Sequence, residues 1–356
     1  MQISVVRPSE LGPGEISAWH SMQRKTESLL NPFLSPEFAV AVDSVRPDAR
    51  VAVLADGSEI VGFFPFQRGR LGVGLPIGAG LNDCQGLIHA PDVEWDSREL
   101  LRTCKISVWQ FDHLVNGQGS FEHHAITVAS SPVIDLTEGF TTYWENLRAE
   151  SPKFCRNLVR GTGKLEREAG NLRFVIDSRD LAELRMIMSW KSDQYRRTGW
   201  VDRFDRPWVV DLVDYLFSTH NEWFGGLLSL LYADETLVAG HFGLQADHVL
   251  AAWFPAYNTR FSSQSPGLIN YMRMAEKAAA QGVHLINLGK GTEPYKETLK
   301  NRYLFVAEGM VARGAWYGAA HRLRVGTVRW VGPRIRQHPL LFRPADQLLK
   351  HFGRIG

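Results

Sequence analysis

The chain has 356 residues and a mass of 40.1 kDa, room for about two domains of the usual ~150 residues. Hydrophobic residues make up 44% and charged residues 22%, which excludes a disordered, fibrous or collagen-like chain. Forty Lys and Arg against 38 Asp and Glu leave a formal charge of +2, too balanced for a surface that wraps nucleic acid.

Residues 1 to about 135 read as mixed strand and helix. Asn31-Pro32-Phe33-Leu34-Ser35-Pro36-Glu37-Phe38 is a loop entering a helix, with Ser35 as cap and Pro36 at the first position. Val51 to Leu54 is an apolar run closed by Ala55-Asp56-Gly57-Ser58, and Ile60 to Phe66 returns as the second arm of a hairpin. Gly69, Gly72, Gly74, Gly78 and Gly80 fall in one stretch with no Lys-Ser/Thr after them, so a plain glycine-rich loop fits better than a phosphate cradle. A boundary is expected near Ser130-Ser131-Pro132, giving a domain over 1–135 and a second over 136–312.

Thr141 to Gly170 is charged and helical, with acids and bases interleaved as on a solvated face. Arg173 to Ile176 is a short strand, and Leu181–Gln194 and Val209–Phe217 are helices. Gly226–Ala233, Leu237–Gln245 and His248–Ala256 form an antiparallel meander. Ser265-Pro266-Gly267 opens a helix, Leu268 to Ala280, with Ser265 as cap and Pro266 at the first position, and Gln281-Gly282 closes it. Val283 to Leu288 is a strand, Gly289-Lys290-Gly291-Thr292-Glu293-Pro294 a turn, Tyr295 to Asn301 a short helix and Tyr303 to Ala312 a strand pair.

Compartment follows from what the sequence does not spell. Cys84, Cys104 and Cys155 are far apart with no C-x-x-C, so neither a disulfide framework nor a zinc site is expected, and no metal is assigned. The N-terminus lacks a charged segment followed by an apolar one, and no apolar run nears the ~18–20 residues of a spanning helix. The expectation is a bacterial cytoplasmic protein.

Several residues have side chains suited to group transfer. A helix N-terminus offers unbonded N–H groups and partial positive charge, and Gly267 leaves that end free for a phosphate; the other reading is a well-capped helix. His241, flanked by Gly240 and Gly243, is a candidate general base or a hydrogen-bonded strand histidine. Tyr257 and Tyr295 are candidate acids for a departing thiolate, or amphipathic packing residues. Lys296 is a candidate anion holder or a surface lysine. Lys191, Gln194 and Tyr195 share one helical face and form a candidate acceptor wall, or an ion-paired surface.

Residues 31–38 (NPFLSPEF), 60–66 (IVGFFPF), 190–199 (WKSDQYRRTG), 256–268 (AYNTRFSSQSPGL) and 288–296 (LGKGTEPYK) resemble the CelD-type family of GNAT-related acyltransferases, named after a protein encoded with cellulose-biosynthesis genes. The resemblance implies an α+β, mixed-sheet fold of tandem GNAT-like copies, as in the FemABX peptidyltransferases, with acyl-CoA (acetyl-CoA, for example) as co-substrate in the second copy. It implies that the pantetheine arm pairs along Val249–Pro255, that the splay beside Leu285–Leu288 receives the thioester, and that Trp253, Ser265, Gly267, Leu268 and Gly289 contact CoA. Of the Arg/Gln-x-x-Gly-x-Gly/Ala loop usual in GNAT enzymes, Gly267 alone is evident, so a FemABX-like aminoacyl donor is the alternative, and a non-catalytic partner of an exopolysaccharide synthase the third reading. The acceptor is expected to be a hydroxyl or amine on a saccharide or lipid-linked precursor; nucleic acid is not an expected partner.

From residue 313 the sequence turns basic: Arg313, Arg322, Arg324, Arg329, Arg334, Arg336, Arg343, Lys350 and Arg354 against Asp346 alone, with Trp316, Trp330 and Phe352 interleaved. The expectation is a helical tail that covers the second domain or docks at the inner membrane face, to a membrane-bound polysaccharide synthase. Pro333 and Pro339 forbid one continuous helix.

Overall fold

A computed structural model describes residues 1–314. The expected basic tail therefore lies, from residue 315 onward, outside the described residues.

The chain runs twice through one succession of elements. The first pass is β1 (Gln2–Val6), α1 (Pro13–Arg24), α2 (Pro36–Val45), β2 (Ala49–Asp56), β3 (Glu59–Arg68), β4 (Val73–Pro76), the short β5 (Ile88–His89), α3 (Ser97–Thr103), β6 (Val108–Leu114) and β7 (Ala125–Asp135). Helices α4 (Gly139–Glu150) and α5 (Pro152–Ala169) lead into the second: β8 (Leu172–Val175), α6 (Leu181–Thr198), α7 (Pro207–Ser218), β9 (Phe224–Ala233), β10 (Thr236–Ala246), β11 (Val249–Tyr257), α8 (Pro266–Ala280), β12 (Leu285–Asn287), α9 (Pro294–Leu299) and β13 (Arg302–Ala312).

All 13 strands join one sheet in the order β1-β2-β3-β4-β6-β13-β7-β12-β11-β10-β9-β8, with β5 on β3. The order is a palindrome about the β13–β7 pair. Each copy has one parallel contact, β4 with β6 and β11 with β12, and every other neighbour is antiparallel. At the centre the copies exchange strands: β7, from the first, pairs with β12 of the second, while β13, from the second, pairs with β6 of the first.

Local chemistry explains the turns. Gly57 at φ +58 closes β2 onto β3, and Asp234 and Asp247 take the same left-handed region in the two turns of the β9–β10–β11 meander. One apolar core joins the copies: Trp19, Phe33 and Phe38 pack in the same cluster as Leu184, Leu212, Phe242 and Phe254.

Ser130-Ser131-Pro132 lies inside β7, which ends at Asp135. Three local expectations change. The short helix ends at Leu299 rather than Asn301. The glycine-rich loop contains a strand, β4. Tyr303–Ala312 belongs to one strand, β13, because the register shift between Glu308 and Gly309 is a bulge and not a turn.

Candidate active site between the two copies

The parallel ladder of β11 and β12 covers Val249–Leu285, Leu250–Ile286 and Ala251–Asn287, then stops. From Ala252 to Tyr257 β11 runs on, paired with β10 alone, so its other edge is open. Trp253 has no register partner between the Phe242–Phe254 and Gly243–Ala252 pairs, which makes it the extra residue of a bulge. The bulge turns the Trp253 ring to the core side, edge-on to Phe33 at 5.7 Å and beside Phe242 and Phe254, so what this residue brings to the open edge is backbone, not ring.

The start of α8 stands beside that edge. Ser265 precedes it in the left-handed region (φ 54, ψ 51), a geometry in which its hydroxyl makes no capping bond, contrary to the expected cap. Leu268 and Ile269 N–H groups bond to Ser265 O at 3.0 and 3.2 Å. A Cβ on Gly267 would meet only the Tyr257 ring within 4 Å, at Cδ1 3.5 Å away, so there is room for a methyl group at this position. Leu268 packs its side chain, half-buried, against the second copy's core. Tyr257 is 38% exposed at the end of the open edge. On the outer side, Lys164 of α5 reaches Ser263 Oγ at 3.3 Å.

Beyond β12 the chain turns through glycines. Asn287 Oδ1 accepts from Ser131 Oγ (3.0 Å) and Gly289 N–H (2.8 Å), which fixes the turn. Gly289, at φ +74, faces the first copy: a Cβ there would stand 2.8 Å from Asp83 Oδ2. Lys296 is buried, donates to Lys290 O at 3.1 Å and pairs with Glu293 at 3.2 Å. Lys290 ties the turn to the first copy through Asp112 O (2.7 Å) and to β13 through Glu308 (2.8 Å).

Asp83 lies in a connector, Leu81 to Leu87, that carries no motif. In the first copy the parallel ladder ends at Gly74–Trp109, the counterpart of the open splay. There the chain fills its own gap: Gln85 bridges to Leu114, its backbone N–H donates to His113 O (2.9 Å), and its side-chain oxygen accepts from Asp112 and His113 N–H (2.9 and 3.1 Å). The first copy's splay is closed, and the plug carries Asp83 across to the second copy.

Charges converge where the two meet. Burial pushes the Asp83 carboxyl up, with His113, Lys296 and Arg203 pulling it back. His113 lies between Asp83 (3.7 Å) and Asp112 (2.9 Å). Burial also acts to raise Asp112, but hydrogen bonds from His113 and Gln85 and the charge of Lys290 prevail and hold it at about 2. Burial, then Arg203 and Lys296, lower the Lys191 ammonium to about 8. Lys191 donates to Gln194 Oε1 at 3.1 Å and lies 5.3 Å from the Tyr195 ring centre, so the expected face exists and points into this cluster.

His241 differs from expectation. Its ring is fully buried, both nitrogens lack a hydrogen-bond partner among the described residues, and burial with the charge of Lys191 lowers it to about 3. A neutral, enclosed imidazole of so little basicity is unsuited to take a proton from an arriving acceptor. It packs on Tyr271 (5.5 Å between ring centres), which in turn packs on Tyr295 (5.9 Å). Burial, then Glu293, push the Tyr295 hydroxyl up to about 12, so it holds its proton as a donor.

Residues 152–297 match the acetyltransferase (GNAT) domain. The matched stretch contains α8, the open edge and the Gly289 turn. No curated protein matches it. Among solved structures it is similar to FemX, at 11% identity and a TM-score of 0.57, over 87% of this chain and 96% of that one. A tandem GNAT protein from the clavulanic acid biosynthesis pathway is similar at 10% identity and a TM-score of 0.48, over 88% and 99%. The FemX likeness spans both copies, and the fold is α+β with a mixed sheet, two GNAT-like copies in tandem.

Proposed function

We propose that the protein transfers an acyl group from acyl-CoA to a hydroxyl or amine acceptor, a saccharide or lipid-linked precursor of exopolysaccharide or cell-envelope synthesis. The observation that carries this reading is the parallel ladder that stops at Ala251 and Asn287 beside a helix start that carries no side chain at Gly267. A strand edge with unpaired N–H groups suits a pantetheine amide and a polarised thioester carbonyl, where one oxyanion donor contributes about 3 kcal/mol. Ser265 and Gly267 would meet the carrier's phosphates.

The acceptor would lie between the copies, against Lys191, Gln194, Tyr195 and Lys296. Its oxygen or nitrogen attacks the thioester carbon, Asp83 takes the proton, and the C–S bond breaks as the tetrahedral intermediate collapses. The thiolate leaves towards Tyr257, which supplies its proton. Asp83 replaces His241 in the base role because loss of hydration strengthens a carboxylate as a base and weakens an imidazole. Titration with acetyl-CoA and longer acyl-CoAs tests the donor: a rise in melting temperature that Gly267→Val abolishes is expected, and no rise with any of them sinks the reading.

The incomplete phosphate loop favours a second donor, an aminoacyl group on a nucleic-acid carrier, as in the FemABX peptidyltransferases. Binding of such a carrier would fall steeply with salt, and salt-insensitive binding excludes it.

A further inference from the structure

The loop between α6 and α7 borders the acceptor side of the site and carries groups that acyl transfer leaves unused. Gly199, at φ +72, stops α6, and Trp200 N–H bonds back to Tyr195 O at 2.9 Å, so the turn has a defined shape. It sets Trp200 and Val201 side by side at 73% and 70% exposure. Directly behind, Asp202 points inward and accepts from Phe204 N–H (3.0 Å), Ser192 Oγ (3.1 Å) and Arg196 (3.1 Å). The tip is therefore a firm base with two large apolar side chains in water, not a loose coil.

Its flanks are cationic. Arg196 engages both Asp193 and Asp202. That leaves Arg197 and Arg206, both exposed and without an ion pair among the described residues, with Asp205 beside them; Arg203 belongs to the Asp83–Lys191 cluster described above. An exposed indole and aliphatic side chain with exposed guanidinium groups on the flanking residues match the layering of an anionic bilayer, with apolar matter inside and phosphate outside.

We propose that this tip docks the protein on an anionic membrane surface, Trp200 and Val201 entering the headgroup–acyl boundary and Arg197 and Arg206 meeting lipid phosphates. The acceptor is then presented from the membrane, an inference that rests on the acceptor side of the site as read above. The contact proposed is peripheral; no helix of the described residues is long and apolar enough to cross a bilayer.

Vesicle co-sedimentation of the full chain tests this, with phosphatidylcholine alone and with added phosphatidylglycerol. Binding is expected only to the anionic vesicles and to weaken with salt. Trp200→Ser/Val201→Ser should cut it about tenfold or more while the melting-temperature rise with acyl-CoA persists. Undiminished binding by that variant, which would place the contact elsewhere in the chain, overturns the proposal; so does wild-type protein that ignores anionic vesicles. A variant that binds vesicles normally but loses turnover of a soluble acceptor makes the tip a substrate lid and equally overturns it. Acyl-CoA stabilisation is read separately, so failure of the donor reading is not confused with failure of the membrane contact.

Discussion

Burial, Arg203 and Lys296 hold the Lys191 ammonium at about 8 instead of its ordinary 10.5. The unfolded chain keeps that proton up to the ordinary value, while the folded chain releases it near 8. This group therefore favours folding increasingly as pH rises from 8 towards 10.5, and imposes a constant cost below 8. An anionic ligand would reverse the like-charge repulsion and return the proton. Affinity for such a ligand should fall as pH rises through about 8, and Lys191→Met should lower it about tenfold at pH 7 and flatten that limb, measured by calorimetry at several pH values. A helical face three and four residues apart is visible in any sequence, which is why Lys191, Gln194 and Tyr195 could be grouped early. Burial is not visible: nothing in Gly240-His241 tells a reader that the ring is sealed, or that its stability contribution, with a folded value near 3, is lost as pH falls below 6.5.

Helix α5 positions the outer wall of the helix mouth by backbone contact. A Cβ on Gly161 would stand 2.7 Å from Gln264 O, closer than real side chains approach backbone oxygen, so this glycine sets how near α5 comes to the segment before α8. Gly161→Ala should push the two apart. The expected result is a several-fold weaker response to acyl-CoA with the circular dichroism spectrum unchanged; an unaltered response would mean that the mouth does not depend on α5. Proline and glycine made the start of α8 readable before any coordinates. The role of Ser265 was not, because a side-chain cap needs an extended backbone and here it is left-handed. The strand pair expected over β13 has a comparable cause: Glu308 pairs with Thr127 and Gly309 with Ala125, which leaves Ile126 of β7 as the extra residue, and at Gly309 a Cβ would strike Phe111 and His124 O, so a glycine that reads as a break sits inside one strand.

The exchange of β7 and β13 makes the two copies one folding unit. Residues 1–135 alone would keep β6 without its β13 partner and β7 without β12; residues 136–314 would lack β7. Either half, expressed alone, should be insoluble or lack cooperative unfolding, whereas co-expression should return a 1:1 complex with the acyl-CoA response. A half that melts cooperatively by itself would contradict this. The duplicated order of elements was expected from the resemblance to tandem folds, yet the site between the copies was not, since Asp83 and Gly289 are neighbours only after the strands have crossed over.

The stretch from Leu81 to Leu87 has almost no regular secondary structure, and such connectors ordinarily tolerate changes in length. Gln85 removes that freedom. One residue added or lost there would slide the aspartate off its glycine while every ladder of the sheet stayed formed. Natural variants of this protein should therefore keep a constant count of residues in this connector even where their surface helices differ.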